Sequence, residues 1–243
     1  TWMNLKKEET LIAYDAIAED YAKYSEGKFN YLDAIEKLVL KFSLKKGSIL
    51  DIGSGDGRRI IKINKFLESN KCILVEPSKE MAKISRKNHD FEVFECFGEN
   101  IDELNLPKFD NIYALWNVLG HVNSYENRIK MLKNIKDLLS PHGFFMMDVN
   151  NRHNSNAYGF SRVMIRRIID MFFFNEARGD AKYDWVINNK TYKGFGHLFT
   201  PNEIEKLIEL AGLKIKKRLT VDYKTGKVSN SPLKGQLFYV LTI

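Results

Sequence analysis

The sequence has few cysteines, few prolines and no long apolar run. Only 2 cysteines and 5 prolines occur in 243 residues, so neither a disulfide framework nor a proline-rich linker is indicated. Cys72 and Cys96 lie singly in apolar strand-like segments, which is typical of free buried thiols rather than metal ligands. No segment approaches the roughly 18 consecutive apolar residues of a membrane-spanning helix, and no apolar signal segment follows the first charges. We therefore expect a cytoplasmic protein with no bound metal and no membrane partner.

Basic residues exceed acidic ones, 38 to 31, which gives a net charge of +7. Much of the surplus lies in the C-terminal half, and such a surplus suits an anionic substrate or a nucleic acid. A simpler explanation is that lysines occupy solvated faces, because no five consecutive residues are all basic and no RNA-recognition or Cys/His motif occurs. We allow a nucleic-acid partner without favouring it over a small-molecule substrate.

From residue 46 onward, apolar strand-like segments alternate with segments of helical periodicity. This alternation predicts an α/β fold, a doubly wound and mostly parallel sheet of seven strands with right-handed crossovers. The last strand is expected to run antiparallel, because a turn-rich segment precedes it. The predicted strands are 48–52, 72–76, 92–96, 110–115, 144–149, 213–221 and 235–243.

The chain divides into three predicted parts. Residues 3–45 form an N-terminal helical cap, and residues 46–149 together with 200–243 form the main domain. A capping box with a proline at 200–203 starts the first helix of the returning segment. Residues 150–199 form an insertion.

The insertion is predicted to contain a basic amphipathic helix and a hairpin that turns near Asn188 and Asn189. An insertion near the carboxyl edge of a sheet is where a substrate lid is built. The same segment also suits a dimerisation surface, so both a monomer and a homodimer remain open.

Three glycines alternate in the segment ILDIGSGDGRR, residues 49–59, directly after a predicted strand. Glycine at these positions lets the backbone turn sharply and approach a ligand, while amides at the next helix start face the site. The spacing differs from the dinucleotide fingerprint, because Arg58 stands where the third glycine is required. The acids Asp51 and Asp56 favour a ligand that is cationic or rich in hydroxyl groups.

Two further strand ends carry polar residues. Glu76 ends the second predicted strand, where a carboxylate accepts hydrogen bonds from a ribose diol. Residues 98–101 end the third strand and suit an adenine edge. A ribose, an adenine and a cationic tail together describe S-adenosylmethionine.

These segments resemble the class I S-adenosylmethionine-dependent methyltransferases, in their small-molecule branch, over about residues 12–149 and 197–220. The segments that carry the resemblance are YDAIAEDYAKY, ILDIGSGDG, LVEPSKEM, GENIDEL, FDNIYALWNVLGHV and LLSPHGFFMMDVN. The resemblance implies a Rossmann-like fold, S-adenosylmethionine as cofactor and S-adenosylhomocysteine as product.

The same resemblance implies a set of cofactor-binding residues. The glycine loop encloses the methionine part, supported by Asp51, while Glu76 binds the ribose and residues 99–101 flank the adenine. Met81 packs beside the adenosine and Tyr14 lies on a helix that closes over the cofactor, although core packing alone also explains both. The full set is Tyr14, Tyr21, Asp51, Gly53, Ser54, Gly55, Gly57, Glu76, Pro77, Met81, Glu99, Asn100, Ile101 and Trp116.

Methyl transfer needs alignment and a dry site, and it needs a base only where the acceptor must lose a proton. We predict Asn117 and His121 as catalytic, since they share a helical face if a helix follows the fourth strand. His121 would act as a base or orient the acceptor, and a histidine satisfied by helix packing explains it equally well. Predicted substrate residues in the insertion are Arg152, His153, Arg162, Tyr192 and His197.

Three functions remain open. The first is methylation of an oxygen or nitrogen atom of a small polar or anionic metabolite. The second is methylation of a modified tRNA nucleoside, which the basic C-terminal half suits. The third is a non-catalytic module that keeps the cofactor fold. The intact glycines and Glu76 argue against it, because a site that no longer functions would tolerate their loss.

Overall fold

This computed structural model describes residues 2–187 and 189–243. Its central sheet contains the seven predicted strands and one two-residue strand at the edge, and a separate two-stranded hairpin lies in the insertion. In chain order the strands are β1 Ile49–Ile52, β2 Cys72–Val75, β3 Glu92–Phe94, β4 Phe109–Ala114, β5 Leu139–Val149, β6 Asp180–Ile187, β7 Lys190–His197, β8 Lys214–Val221, β9 Val228–Ser229 and β10 Gln236–Thr242.

The strand order of the central sheet is β3-β2-β1-β4-β5-β10-β8-β9. Strands β1 to β5 pair in parallel, and β10 runs antiparallel to both β5 and β8. This confirms the predicted doubly wound sheet with an antiparallel last strand. The strand order reverses between β1 and β4, and an open α/β sheet binds its ligand at that point, outside the carboxyl ends of the strands.

Helices cover both faces of the sheet. Their bounds are α1 Trp2–Ile17, α2 Tyr21–Glu26, α3 Phe29–Phe42, α4 Arg58–Leu67, α5 Lys79–Asn88, α6 Val118–His121, α7 Tyr125–Leu138, α8 Ser155–Tyr158, α9 Phe160–Phe172 and α10 Pro201–Leu210. Short 3-10 turns occupy 18–20, 98–104 and 176–179. Among the described helices, none has the length and apolar character needed to cross a membrane.

Two hydrophobic clusters lie on opposite faces of the sheet. In β1, Leu50 and Ile52 belong to one cluster together with residues of α7 and α10, while Ile49 belongs to the other with residues of α3, α4 and α5. All four residues of β1 are buried. A strand buried on both faces is continuously apolar, which is why these short strands were visible in the sequence.

The capping box predicted for the returning segment is present at the start of α10. The Thr200 side chain accepts a hydrogen bond from the Glu203 amide, the Glu203 side chain accepts one from the Thr200 amide, and Pro201 follows the cap. Ile204, Leu207 and Ile208 are then buried against the sheet. This prediction is confirmed.

The N-terminal helical segment is interrupted close to the cavity. Helix α1 ends at Ile17, a 3-10 turn follows at 18–20, and α2 begins at Tyr21. Tyr14, Ile17, Ala18 and Tyr21 nevertheless pack together around Met81. Helix α1 contacts α5 and β7, and its residues Lys7, Leu11 and Tyr14 line the cavity described below.

The insertion contains α8, α9 and the predicted hairpin. Strands β6 and β7 pair antiparallel from Asp180 opposite His197 to Ile187 opposite Lys190. Asn189 adopts a left-handed backbone with φ of 62°, as a hairpin turn requires. The other predicted turn residue, Asn188, lies outside the described residues.

Candidate active site

A cavity of about 580 Å³ opens at the carboxyl ends of β1, β2 and β4. Its floor consists of the loops that follow these strands and of the start of α4, and its roof consists of residues of α1, α2 and α3. Cavities of roughly 300–1,000 Å³ are typical of small-molecule sites. The cavity therefore lies where the sheet topology predicts a ligand.

The glycine loop takes its shape from left-handed backbone conformations. Gly53, Gly55 and Gly57 have φ of 68°, 59° and 76°. A Cβ added at Gly53 would lie 2.5 Å from Val118 Cγ2, and one at Gly57 would lie 2.4 Å from His89 Nε2. Side chains are excluded by strain and by space, so the loop presents bare backbone toward the cavity.

Glu76 directly follows β2 and faces the cavity, with its carboxylate held by two backbone amides. The Ser78 amide donates to Oε1 and the Gly55 amide donates to Oε2, each at 2.8 Å. A carboxylate offers about four acceptor positions, so two remain for a ligand. Burial raises the pKa of Glu76 to about 7, although the two amides oppose the shift.

We expect cofactor affinity to depend on pH through this group. Hydroxyl donors bind the ionised carboxylate, and because the pKa of Glu76 is raised to about 7, protonation removes this acceptor as the pH falls below that value. The dissociation constant for S-adenosylmethionine should rise about tenfold between about pH 8 and about pH 6. Calorimetry across this range checks the result. A Glu76→Gln variant should show a flat profile, and an equally steep profile in that variant would contradict the assignment.

Beneath the glycine loop, Asp51 is fully buried and pairs with Arg59. Arg59 Nη2 lies 3.1 Å from both carboxylate oxygens. The Arg59 Nε and Ser54 Oγ atoms are buried without a hydrogen-bond partner among the described residues, and both residues line the cavity. A buried donor without an acceptor lowers the stability of a protein, so this part of the cavity suits a ligand that carries an acceptor group such as a carboxylate. Sequence analysis missed Arg59, although it directly follows the glycine loop.

Helix α1 closes the cavity through contacts with two strand-end loops. Lys7 Nζ lies 2.7 Å from Glu99 Oε1 and 3.4 Å from the centre of the Phe97 ring. Asp15 Oδ1 accepts a hydrogen bond from Ser78 Oγ at 2.5 Å. Lys7, Leu11 and Tyr14 line the cavity, and their spacing of four and three residues could have identified this face from the sequence.

His121, at the end of α6, lines the cavity as a neutral imidazole. Its Nδ1 lies 2.7 Å from the Phe195 carbonyl oxygen, which only accepts, so Nδ1 carries the proton. Its Nε2 lies 3.2 Å from the Tyr14 hydroxyl and is the acceptor of that hydrogen bond. Burial lowers the pKa of His121. The geometry leaves an unprotonated nitrogen directed to the roof, as a base requires.

The loop after β4 places Trp116 in the cavity and Asn117 outside it. Both residues have positive φ, 71° and 60°, a conformation that costs roughly 1–3 kcal/mol for each residue. The Trp116 amide donates to Asp148 Oδ1 at 2.7 Å, and Asn117 Oδ1 accepts from the Asn150 amide at 2.9 Å. Asn117 precedes α6 and is not among the residues that line the cavity, so its catalytic role stays a prediction.

Most predicted cofactor residues line the cavity. Those that do are Tyr14, Tyr21, Gly53, Ser54, Gly55, Glu76, Pro77, Met81, Glu99 and Trp116. Asp51 and Gly57 lie behind the loop that they support. Ile101 is fully buried in the core, Asn100 Oδ1 lies 3.4 Å from Lys130 Nζ, and neither residue lines the cavity, so their position beside the adenine stays a prediction.

None of the five predicted substrate residues is among those that line the cavity. Arg152 Nε and His153 Nε2 both bond Asp170 Oδ2, at 3.0 and 2.9 Å. Arg162 is exposed on α9, and Tyr192 packs beside the cluster that includes Met81. The hairpin instead reaches the site through the Phe195 carbonyl, which bonds His121, and through the rings of Tyr183 and Trp185, which pack against His121 and Tyr14.

His197, the fifth of them, belongs to a buried charge network. Its Nδ1 lies 2.9 Å from Asp180 Oδ1 and its Nε2 lies 2.8 Å from Glu203 Oε1. Glu176, His197 and Glu203 bring three potential metal-ligand atoms, one from each side chain, within 4.8 Å of one another. The buried Arg128 guanidinium bonds Glu176, so an arginine supplies the positive charge of this cluster.

The sheet order, the glycine loop and the acid at the end of β2 define a class I S-adenosylmethionine-dependent methyltransferase. The chain belongs to the methyltransferase-domain family, whose model matches residues 22–217.

Solved structures share this fold. The CcbJ methyltransferase from Streptomyces caelestis is 15% identical, with a TM-score of 0.69 over 96% of this chain and 98% of that chain. The DhpI–SAM–HEP complex is 14% identical, with a TM-score of 0.70 over 97% of each chain. A mouse (Mus musculus) protein described as "Probable tRNA methyltransferase 9B" is 34% identical over 110 residues, which is 43% of this chain. The match spans only 22% of that relative.

Proposed function

We propose that this protein transfers a methyl group from S-adenosylmethionine to an oxygen or nitrogen atom of a small polar or anionic metabolite. The observation that carries this proposal is that one cavity holds both the Glu76 carboxylate and the neutral His121 imidazole. Helix α1 roofs the cavity through Lys7 and Tyr14, which favours an acceptor small enough to be enclosed.

The residues present fit the cofactor. Glu76 has two acceptor positions left for the ribose hydroxyls, and Phe97, Met81 and Glu99 line the end of the cavity that suits the adenine. The unpaired Nε of Arg59 suits the carboxylate of the methionine part. DhpI, a protein of the same fold, has been solved as a complex with SAM.

The cofactor supplies an electrophilic methyl group, so a bond from the acceptor atom to the methyl carbon forms as the carbon–sulfur bond breaks. The protein contributes alignment and exclusion of water. His121 Nε2 can take the proton of an acceptor O–H or N–H that replaces the Tyr14 hydroxyl as its donor. The Phe195 carbonyl holds the other ring nitrogen and so fixes the tautomer that this step needs.

Methylation of a tRNA nucleoside is the second candidate. The partial match to the mouse protein and the net charge of +7 favour it. It differs from the first proposal in one measurable respect, because RNA binding would weaken steeply with rising salt. The roof over the cavity supports the small-molecule proposal, since a nucleoside within tRNA must enter while attached to a large polymer.

Titration calorimetry followed by a transfer screen tests both candidates. We expect S-adenosylmethionine and S-adenosylhomocysteine to bind with micromolar affinity and NAD not to bind. Labelled S-adenosylmethionine should then transfer its methyl group to a member of a panel of small amines, alcohols and carboxylates. Transfer to total tRNA alone would support the second candidate. Binding without transfer to any acceptor would support a non-catalytic module, and binding of NAD alone would overturn the cofactor assignment.

A further inference from the structure

Helix α9 carries a row of large apolar side chains on its solvent side. Ile165, Ile168 and Phe172 are 60%, 57% and 68% exposed, and Ile169 completes the row at 40%. Residues spaced by three and four positions form one helical face. In a soluble protein such a face normally packs on the core, but in α9 it faces outward.

The outward orientation is fixed by contacts on the opposite side of the helix. Val163 and Asp170 are the buried residues of α9. Asp170 accepts hydrogen bonds from Arg152 and His153, which tie the helix to the segment after β5. The helix therefore has a defined inner face, and the apolar row is the outer face of a docked element.

The apolar surface is broader than a helix–helix contact requires. Phe160 and Met171 widen the row, and Phe173 and Phe174 extend it past the end of α9. At 100° per residue, the exposed apolar side chains of α9 span roughly half of the helix circumference, whereas a packed stripe spans about 100°. Half of the exposed large apolar side chains among the described residues fall within 160–174.

Arginines border this surface on both sides. Arg162 and Arg167 are exposed. Arg166 lies on the same side of the apolar surface as Arg162, and its guanidinium is 4.6 Å from the centre of the Tyr158 ring. The acidic residue of α9, Asp170, is buried and paired. The exposed part of the helix is therefore apolar and positively charged.

We propose that α9 docks in the plane of a lipid bilayer that carries anionic headgroups. Its apolar face enters the boundary of the acyl chains, and Arg162 and Arg167 contact headgroup phosphates. A broad apolar arc bordered by arginines is complementary to such a surface, whereas a second copy would place the same arginines opposite these and so bring like charges together. The expectation of no membrane partner concerned helices that span a bilayer. A helix that lies in the plane of the bilayer surface makes a different kind of contact.

Vesicle flotation tests the proposal, with phosphatidylcholine vesicles compared with vesicles that also contain phosphatidylglycerol. The wild-type protein should float with the anionic vesicles and far less with the neutral ones, and added salt should release it. We expect Ile168→Glu combined with Phe172→Glu to reduce the bound fraction at least about tenfold, and Arg162→Glu combined with Arg167→Glu to remove the preference for anionic lipid. Phe66→Glu, at a similarly exposed site on α4, should leave binding unchanged.

S-adenosylmethionine titration of each variant separates this proposal from the cofactor assignment, because the α9 substitutions lie away from the cavity and should not alter cofactor affinity. The proposal would be overturned by wild-type protein that stays unbound with anionic vesicles, or by α9 variants that bind as well as the wild type. It would also be overturned if sedimentation without lipid showed a dimer that the Ile168→Glu and Phe172→Glu variant dissociates, because a second copy would then cover the face.

Discussion

A Glu76→Gln variant should bind S-adenosylmethionine at least about 100-fold more weakly than the wild type at about pH 8. The change removes the charge from two hydrogen bonds to the ribose hydroxyls, and charge-assisted bonds are worth roughly 1.5–3 kcal/mol each. It also turns an amide NH₂ toward the Gly55 or Ser78 amide, each of which donates to the carboxylate at 2.8 Å. Calorimetry measures the loss directly.

Glu80→Gln is the matched control for this experiment. Glu80 lies in the first turn of α5, about half exposed and 3.5 Å from Lys83, so its neutralisation should change the affinity less than about twofold. Circular dichroism should show that both variants are folded. Binding by Glu76→Gln within about threefold of the wild type would show that the ribose is held elsewhere.

A His121→Asn variant should lose methyl transfer by about 100-fold to 10,000-fold while its affinity for S-adenosylmethionine changes little. General bases contribute about this much when the acceptor must release a proton. Burial keeps the pKa of His121 below its ordinary value, so the wild-type rate should not fall as the pH drops from 8 to 7 through protonation of this ring. Single-turnover transfer to the first acceptor that the screen identifies measures the effect.

His142→Asn provides the control, because His142 is exposed on β5 and absent from the residues that line the cavity. Its transfer rate should equal that of the wild type. A Tyr14→Phe variant adds a second test, since it removes the hydroxyl that donates to Nε2 and leaves the imidazole in place. A transfer rate in His121→Asn within about fivefold of the wild type would show that the acceptor needs no base and that alignment alone drives the reaction.

The sheet, and the edge of it at which the cavity opens, could be predicted from the amino-acid sequence. Short strands buried on both faces are continuously apolar, and the βαβ connections place the carboxyl ends of parallel strands along one edge. Gly53 and Glu76, which directly follow β1 and β2, therefore meet at that edge, and Glu99 reaches it from the turn after β3. Their positions follow from local sequence and strand connectivity.

Which distant groups complete the site, and which predicted residues lie outside the cavity, follows from contacts between residues that are far apart in the sequence. The Phe195 carbonyl, 74 positions away in the sequence, fixes the tautomer of His121, whereas the His197 ring bonds Asp180 and Glu203. The periodicity of α9 showed two faces but not which one would face outward, a choice that the buried Asp170 contacts make. Such pairings depend on how whole elements pack, and a pattern confined to one element cannot specify the surface against which it packs.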